Sequence, residues 1–170
     1  MTQLNDRRAL LLDAGRPFEI RSLVLLDIDG FKAVNDALGH AAGDAALCML
    51  ARLLESAAHR WGARAYRLGG DEFVLLSSLP LNAQQLIPVQ AHFKQALRTL
   101  GSVENGSFSY GLAQAPFDGQ TLTALLRQAD THLSTHKTRR CGEGTGPLRQ
   151  LLGLPLDAAG QEHGGRRCGA

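Results

Sequence analysis

Three acidic residues stand where a folded chain could bring them together. Asp27 closes an apolar strand, and Asp71 and Glu72 follow Gly69 and Gly70 at the tip of a predicted hairpin. If these strands are neighbours, the carboxylates converge at one edge of the sheet. Because Mg²⁺ is bound by few carboxylates, with substrate phosphates completing its shell, the pattern indicates a metal–phosphate site.

The glycine pair supports two interpretations. Gly69 and Gly70 have no side chain beyond Cα, so a nucleotide could lie close to the backbone there. Glycine and aspartate also favour tight turns for conformational reasons. An ordinary turn carrying two solvated acids, Asp71 and Glu72, therefore explains the same four residues.

The first half of the chain predicts one buried strand followed by two helices. The continuous apolar run Leu23–Ile28 is typical of a central strand. Phe31, Val34 and Leu38 recur at helical spacing and stop at Gly39. A second helix with an acidic first turn is predicted from Asp44, and its apolar stripe comprises Leu47, Leu50, Leu53 and Leu54.

The second half predicts a hairpin, a helix, a strand and a last helix. Ala63–Leu68 and Phe73–Leu76 are the strands of the hairpin. Pro88 should break the next helix, at about residues 83–100, or mark a fresh start within it. A strand carries Phe108, Tyr110 and Leu112, and an amphipathic helix follows at Leu122–Lys137. This order predicts an α+β sandwich, with a mostly antiparallel sheet covered by helices in a ferredoxin-like manner.

Composition indicates one soluble globular domain. The chain has 170 residues, a net charge of +2, 44% hydrophobic and 5% aromatic residues, which excludes disordered and collagen-like chains. No apolar run approaches a membrane span and the start lacks signal-peptide order, so a cytoplasmic location is predicted. Cys48, Cys141 and Cys168 are interpreted as free thiols. The weak, unsegregated positive charge argues against a DNA partner.

A change in composition marks a domain boundary. Residues 1–140 form the predicted domain, and residues 141–170 are a glycine-rich C-terminal tail. The tail has at most one short apolar helix, around Leu148–Leu154, which could dock on the domain or be disordered.

Two sequence blocks carry a family resemblance. They read LLDIDGFKAVNDALGHAAGDAAL (Leu25–Leu47) and RLGGDEFVLL (Arg67–Leu76). The weaker pieces LNDRRALL, SFSYGLA and LLRQAD occur in the right order. Over Thr2–Arg140 the chain resembles the GGDEF family of diguanylate cyclases.

The resemblance implies a nucleotidyl-cyclase-like fold, related to the polymerase palm, with a GGDEF β-hairpin. It implies that two GTP molecules, each held by one domain of a homodimer, condense to cyclic di-GMP with release of two pyrophosphates. Matching positions imply that Asp27, the Ile28 carbonyl and Asp71 hold Mg²⁺ or Mn²⁺. Asp71 would accept the 3′-hydroxyl proton, Glu72 would complete the acidic cluster, and Lys32 would stabilise phosphate charge.

Further matches imply a nucleotide-binding set. Asn35 and Asp44 would read guanine, His40 would lie on the substrate side, and Lys137 would reach the terminal phosphates. Gly69 and Gly70 belong to the same substrate-binding set. Simpler roles remain open. Asp44 could cap a helix, His40 could make a loop hydrogen bond, Lys32 could be solvated and Lys137 could suit the helix dipole. Asp29 is interpreted as structural, with capping of the next helix as one role.

Several positions depart from the family pattern. Arg60 of the family's product-inhibition site is present, but Ala63 replaces its acid, which predicts weak or absent feedback by cyclic di-GMP. Ser134 replaces an aromatic residue, and Cys141 replaces a phosphate-binding arginine for which Arg139 or Arg140 could substitute. Gly30 replaces a bulkier residue and leaves a more flexible phosphate loop.

Three functions are compatible with these observations. The first is an active diguanylate cyclase. The second is a noncatalytic GTP- or cyclic di-GMP-binding regulatory module, and the third is a protein-interaction scaffold. Family domains usually follow a sensory or dimerising module, so the chain is expected to be either an excised catalytic domain or a short protein that stands alone.

Overall fold

The structure is a computed structural model that describes residues 2–15, 19–101 and 106–138. The strands are β1 (Asn5–Asp6), β2 (Ser22–Ile28), β3 (Ala63–Gly69), β4 (Glu72–Ser77) and β5 (Phe108–Gln114). The helices are α1 (Arg7–Ala14), α2 (Phe31–Leu38), α3 (His40–Trp61), α4 (Ala83–Leu100) and α5 (Leu122–Thr138). The tail, the domain boundary at residue 140, Cys141 and Cys168 lie outside the described residues and stay predictions.

The strands form one five-stranded sheet in the order β1-β3-β4-β2-β5. β1 pairs with β3 in parallel, and every other pairing in the sheet is antiparallel. Helices flank this mixed sheet, so the predicted α+β class, the mostly antiparallel sheet and the hairpin are confirmed.

The position of β2 inside the sheet explains why its sequence is apolar without alternation. All seven of its residues are buried. Val24, Leu26 and Ile28 contribute to one core with α3 and α4, whereas Leu23 and Leu25 contribute to a second core with α1 and α5. Because both faces are covered by helices, both sets of alternating side chains must be apolar.

Helix α3 begins earlier than the sequence predicts. It starts at His40, directly after Gly39, whose φ of 83° lies in the left-handed region. Asp44 therefore lies in the second turn and does not cap the helix, and the first turn holds no acid. The predicted apolar stripe is correct at Leu47, Leu50 and Leu54, which are buried, while Leu53 is partly buried.

Pro88 neither breaks nor restarts helix α4, so that prediction is wrong. A proline in a helix removes one backbone hydrogen bond, and here the surrounding turns are well anchored. Asn82 and Gln85 form a reciprocal capping box at the start. Four buried side chains hold the helix on the core on both sides of the proline: Leu86, Val89, Phe93 and Leu97.

The N-terminal elements β1 and α1 are absent from the sequence-based prediction. The Asp6 carboxylate accepts a hydrogen bond of 2.9 Å from the Ala9 amide and caps α1. Asp13 at the other end of α1 accepts a bond of 2.8 Å from the Tyr66 hydroxyl and pairs with Arg64 at 2.9 Å. These contacts fasten α1 to β3.

Candidate active site

The predicted convergence of acidic residues is confirmed. In the antiparallel pairing of β2 with β4, Asp27 lies directly opposite Glu72. Asp71 immediately precedes Glu72, in the turn between β3 and β4. The three carboxyl groups therefore come from adjacent central strands at the same end of the sheet.

The hairpin tip is held by an arginine to which sequence reasoning assigns no role. Arg67 donates two hydrogen bonds to the Gly70 carbonyl, from Nε at 3.1 Å and from Nη2 at 2.7 Å. Gly70 has a φ of 54°, in the left-handed region that favours glycine. Arg67 lies within the RLGGDEFVLL block, so the sequence marks the residue, but only the fold shows that it binds the Gly70 carbonyl. Arg67 thereby fixes the turn that carries Asp71.

Lys137 reaches the acidic residues from the last helix. Its Nζ atom lies 2.6 Å from Asp27 Oδ1, and the two side chains are only 19% and 8% exposed. The structure thus places Lys137 beside Asp27, Asp71 and Glu72, and these three acidic residues form the acidic cluster. The ion pair between Lys137 and Asp27 is a contact that sequence reasoning did not identify.

Burial controls the charge of two carboxyl groups in this cluster. It raises the pKa of Asp27 from 3.8 to about 6, the Asp71 charge adds to the rise, and Lys137 opposes it. Burial also raises the pKa of Asp71, opposed by a backbone hydrogen bond and by the charges of Lys137 and Arg67. A cation at this end of the sheet would stabilise both ionised carboxylates.

The raised pKa of Asp27 predicts a pH-dependent stability. A carboxyl group whose pKa is higher in the folded state stabilises the fold as it becomes protonated, so this contribution appears as pH falls through about 6. In metal-free buffer, the unfolding free energy of the wild type relative to Asp27→Asn should rise by about 1 kcal/mol from about pH 7.5 to about pH 5. Urea titrations at both pH values measure it. A pH-independent difference would contradict the prediction.

The predicted guanine-reading residues lie at the junction of α2 and α3. The Asn35 side chain rests on Gly43, because a Cβ atom placed there would collide with Asn35 Oδ1. Asp44 is the next residue and is exposed. Asn35 thus contacts the residue that precedes Asp44, and Gly43 permits the close approach of the two helices.

Two predicted residues stand apart from the acidic cluster. Lys32 on α2 and His40 at the start of α3 are both exposed. The ion-pair partner of Asp27 is Lys137 and not either of these two residues. Along the chain, α2 begins three residues after the end of β2, the strand that carries Asp27.

Asp29 does not cap helix α2. The N-cap is Gly30, and no side-chain hydrogen bond caps this end. Instead, the Ser109 hydroxyl donates a 2.6 Å hydrogen bond to Asp29 Oδ1. Asp29 thus ties the chain that leaves β2 to β5, which confirms a structural role but corrects its nature.

The donor set fits a magnesium ion that retains other ligands. Among the described residues, no group of three or more His, Cys, Asp and Glu side chains is arranged to hold a metal. The predicted set needs only the Asp27 and Asp71 carboxylates and the Ile28 carbonyl. Because Mg²⁺ usually keeps several waters and binds substrate phosphates through the remaining positions, two carboxylates are sufficient.

The geometry agrees with comparisons to known proteins. The family model described as "Diguanylate cyclase, GGDEF domain" matches residues 1–142. The chain belongs to the GGDEF family of diguanylate cyclase domains. None of the helices that the structure describes is long and apolar enough to cross a bilayer.

Two named cyclases illustrate the similarity. Diguanylate cyclase DgcM of Escherichia coli K12 is 56% identical over 113 residues, which are 66% of this chain and 27% of DgcM. Diguanylate cyclase TpbB of Pseudomonas aeruginosa is 35% identical over 146 residues, which are 83% of this chain and 33% of TpbB. The chain thus spans about a third or less of the length of these relatives.

Solved structures show the same fold. The crystal structure of diguanylate cyclase SiaD from Pseudomonas aeruginosa, in complex with its activator SiaC, gives a TM-score of 0.63 at 32% identity. That match covers 82% of this chain and 57% of SiaD. The GGDEF domain of TpbB gives a TM-score of 0.63 at 29% identity, covering 81% of this chain and 87% of that domain.

Proposed function

We propose that this chain is a catalytically active diguanylate cyclase that converts two GTP molecules into cyclic di-GMP and two pyrophosphates. The observation that carries the proposal is the convergence of Asp27, Asp71 and Glu72 at one end of the sheet in a GGDEF domain. In each half-reaction a 3′-oxygen forms a bond to the α-phosphorus of the other GTP, and the bond from that phosphorus to the pyrophosphate breaks.

The acidic cluster supplies the groups that such a transfer requires. Asp27, Asp71 and the Ile28 carbonyl would hold Mg²⁺, or Mn²⁺ in its place. When bound, the ion offsets α-phosphate charge and lowers the pKa of the attacking hydroxyl. Asp71 accepts the hydroxyl proton from its place in the hairpin turn beside Asp27. Glu72, which is only 3% exposed, adds a third carboxyl group beside Asp27.

The residues around the cluster bind and orient GTP. Asn35 and Asp44 pair with the guanine edge, with His40 beside them. Gly69 and Gly70 let the nucleotide approach the backbone. Lys32 stabilises the charge that develops on the phosphates. Lys137 contacts the terminal phosphates from the end of α5. Positioning of this kind supplies much of the rate in phosphoryl transfer.

The partner is a second copy of the domain. Each copy holds one GTP, and bond formation requires the two nucleotides to face each other across a homodimer. An upstream sensory or dimerising domain would raise the local concentration of these domains. Since each copy contributes half of the reacting groups, product formation depends on the protein concentration.

Incubation with GTP and Mg²⁺, followed by chromatography and mass spectrometry, tests the proposal. Cyclic di-GMP is expected from the wild type and not from Asp71→Ala. Metal-dependent GTP binding without product, even after forced dimerisation, would favour the regulatory module instead. Absence of GTP binding would overturn both and leave a scaffold.

The contact of Arg67 with the hairpin tip gives a second test of the site. Arg67→Lys keeps the charge but loses the planar fork that binds the Gly70 carbonyl twice. Cyclic di-GMP synthesis should fall about tenfold because Asp71 is less well positioned. Arg64→Lys is the matched control, since Arg64 lies on the same strand but contacts Asp13. Equal activity of the two variants would contradict a positioning role for Arg67.

Product feedback is expected to be weak. The Arg60 side chain donates a 3.0 Å hydrogen bond back to Ser56 on its own helix, and Ala63 offers no carboxylate beside it. Calorimetry with cyclic di-GMP should therefore show no tight binding. Tight binding that Arg60→Ala abolishes would contradict this prediction.

A further inference from the structure

Lys137 is ion-paired with Asp27, which is a predicted metal ligand. Its Nζ atom lies 2.6 Å from Asp27 Oδ1, within direct ion-pairing distance. Both side chains are largely buried, so little solvent screens the pair. An ammonium group and a divalent cation cannot occupy the same position beside this carboxylate.

Helix α5, which carries Lys137, packs tightly against β5. A Cβ atom at Gly111 of β5 would collide with the Ala129 carbonyl and lie 2.6 Å from the Leu133 nitrogen, so strand and helix are in backbone contact. His132 Nδ1 also lies 2.8 Å from the Leu112 carbonyl oxygen. The helix therefore stays on the sheet, while the flexible four-carbon stem of Lys137 can carry its ammonium group elsewhere.

The negative charges around Asp27 favour replacement of the Lys137 ammonium group by another cation over loss of the ammonium group alone. Asp71 and Asp29 place further negative charge near Asp27. Removing Lys137 alone would leave a buried carboxylate without its counter-ion, which is costly. An incoming divalent cation replaces that counter-ion, and the terminal phosphates of the nucleotide offer the displaced ammonium group a new anionic partner.

We propose that Lys137 is the resident counter-ion of the metal site, leaving Asp27 for the nucleotide phosphates when a divalent cation binds. The inference rests on the proposed function, because it takes the metal and GTP sites from it. Lys137 therefore opposes the binding of a cation alone and favours the binding of the nucleotide. A purely structural lysine would not have these opposite effects.

Mn²⁺ titrations followed by electron paramagnetic resonance test the first effect. Without nucleotide, Lys137→Met should bind Mn²⁺ about tenfold more tightly than the wild type. At saturating Mn²⁺, the same variant should bind a non-hydrolysable GTP analogue about tenfold more weakly. Lys94→Met is the matched control, because Lys94 is exposed on α4, and both affinities should stay unchanged. Unaltered or weakened Mn²⁺ binding by Lys137→Met would overturn the proposal.

A measurement on the wild type removes any dependence on the folding of the variant. The rate at which acetic anhydride modifies Lys137, read by mass spectrometry, should rise when Mn²⁺ is added and fall when the GTP analogue follows. A rate that Mn²⁺ leaves unchanged would overturn the exchange. Synthesis of cyclic di-GMP is assayed separately, so synthesis without exchange overturns only this inference, whereas absence of any Mn²⁺ binding overturns the metal site of both.

Discussion

Replacing Asp71 with Asn should lower the rate of cyclic di-GMP synthesis by at least about 100-fold, the range expected when a group that accepts a proton in the transition state is lost. Asparagine keeps the shape of the side chain but supplies neither a proton acceptor nor a charged metal ligand. Because burial already raises the pKa of Asp71, the fold gains nothing from its ionised form. The variant should therefore be at least as stable as the wild type.

Activity and stability must be measured together for this test. Product is quantified by chromatography at saturating GTP and Mg²⁺, and thermal unfolding is followed by circular dichroism. Glu55→Gln provides the matched control, since it makes the same carboxylate-to-amide change at an exposed position on α3. Synthesis by Asp71→Asn at more than about a tenth of the wild-type rate would remove Asp71 from the reaction.

The largest loss of stability is expected from Gly111→Ala. The added Cβ atom would collide with the Ala129 carbonyl and the Leu133 nitrogen, which belong to the backbone of α5 and cannot rotate away. The helix must shift from β5, so the free energy of unfolding should fall by about 3 kcal/mol, at the upper end of overpacking effects. The shift also draws Lys137 away from Asp27.

Urea unfolding measures this loss, with Gly15→Ala as the matched control. A Cβ atom at Gly15 would lie 3.5 Å from the Leu11 carbonyl oxygen, an ordinary contact, and should change stability little. A loss below about 1 kcal/mol for Gly111→Ala would show that α5 is not in backbone contact with β5.

Local patterns were sufficient to predict most elements of the fold. The apolar run of β2 and the glycine pair of the hairpin are determined by neighbouring residues, and both predictions are confirmed. The errors arise where the course or the start of a helix depends on contacts beyond the neighbouring residues. Pro88 stays helical because buried residues on both sides anchor α4, and α3 extends back to His40 through the left-handed Gly39.

The site could be predicted as a set of residues but not as a set of contacts. The acidic residues Asp27, Asp71 and Glu72 follow from motif and strand pairing. The tie of Arg67 to Gly70 and the ion pair of Lys137 with Asp27 depend on the registers of the hairpin and of α5, which no local pattern encodes. Such supporting contacts required the folded chain.

The most direct measurement of the central claim is the rate of cyclic di-GMP formation per mole of protein over about a hundredfold range of protein concentration, since assembly follows mass action. If two copies each present one GTP, this specific activity should rise with concentration and level off once dimers dominate. Fusion to a dimerising helix should raise the activity at low concentration. GTP binding without cyclic di-GMP at every concentration, in the fused protein as well, would contradict the claim.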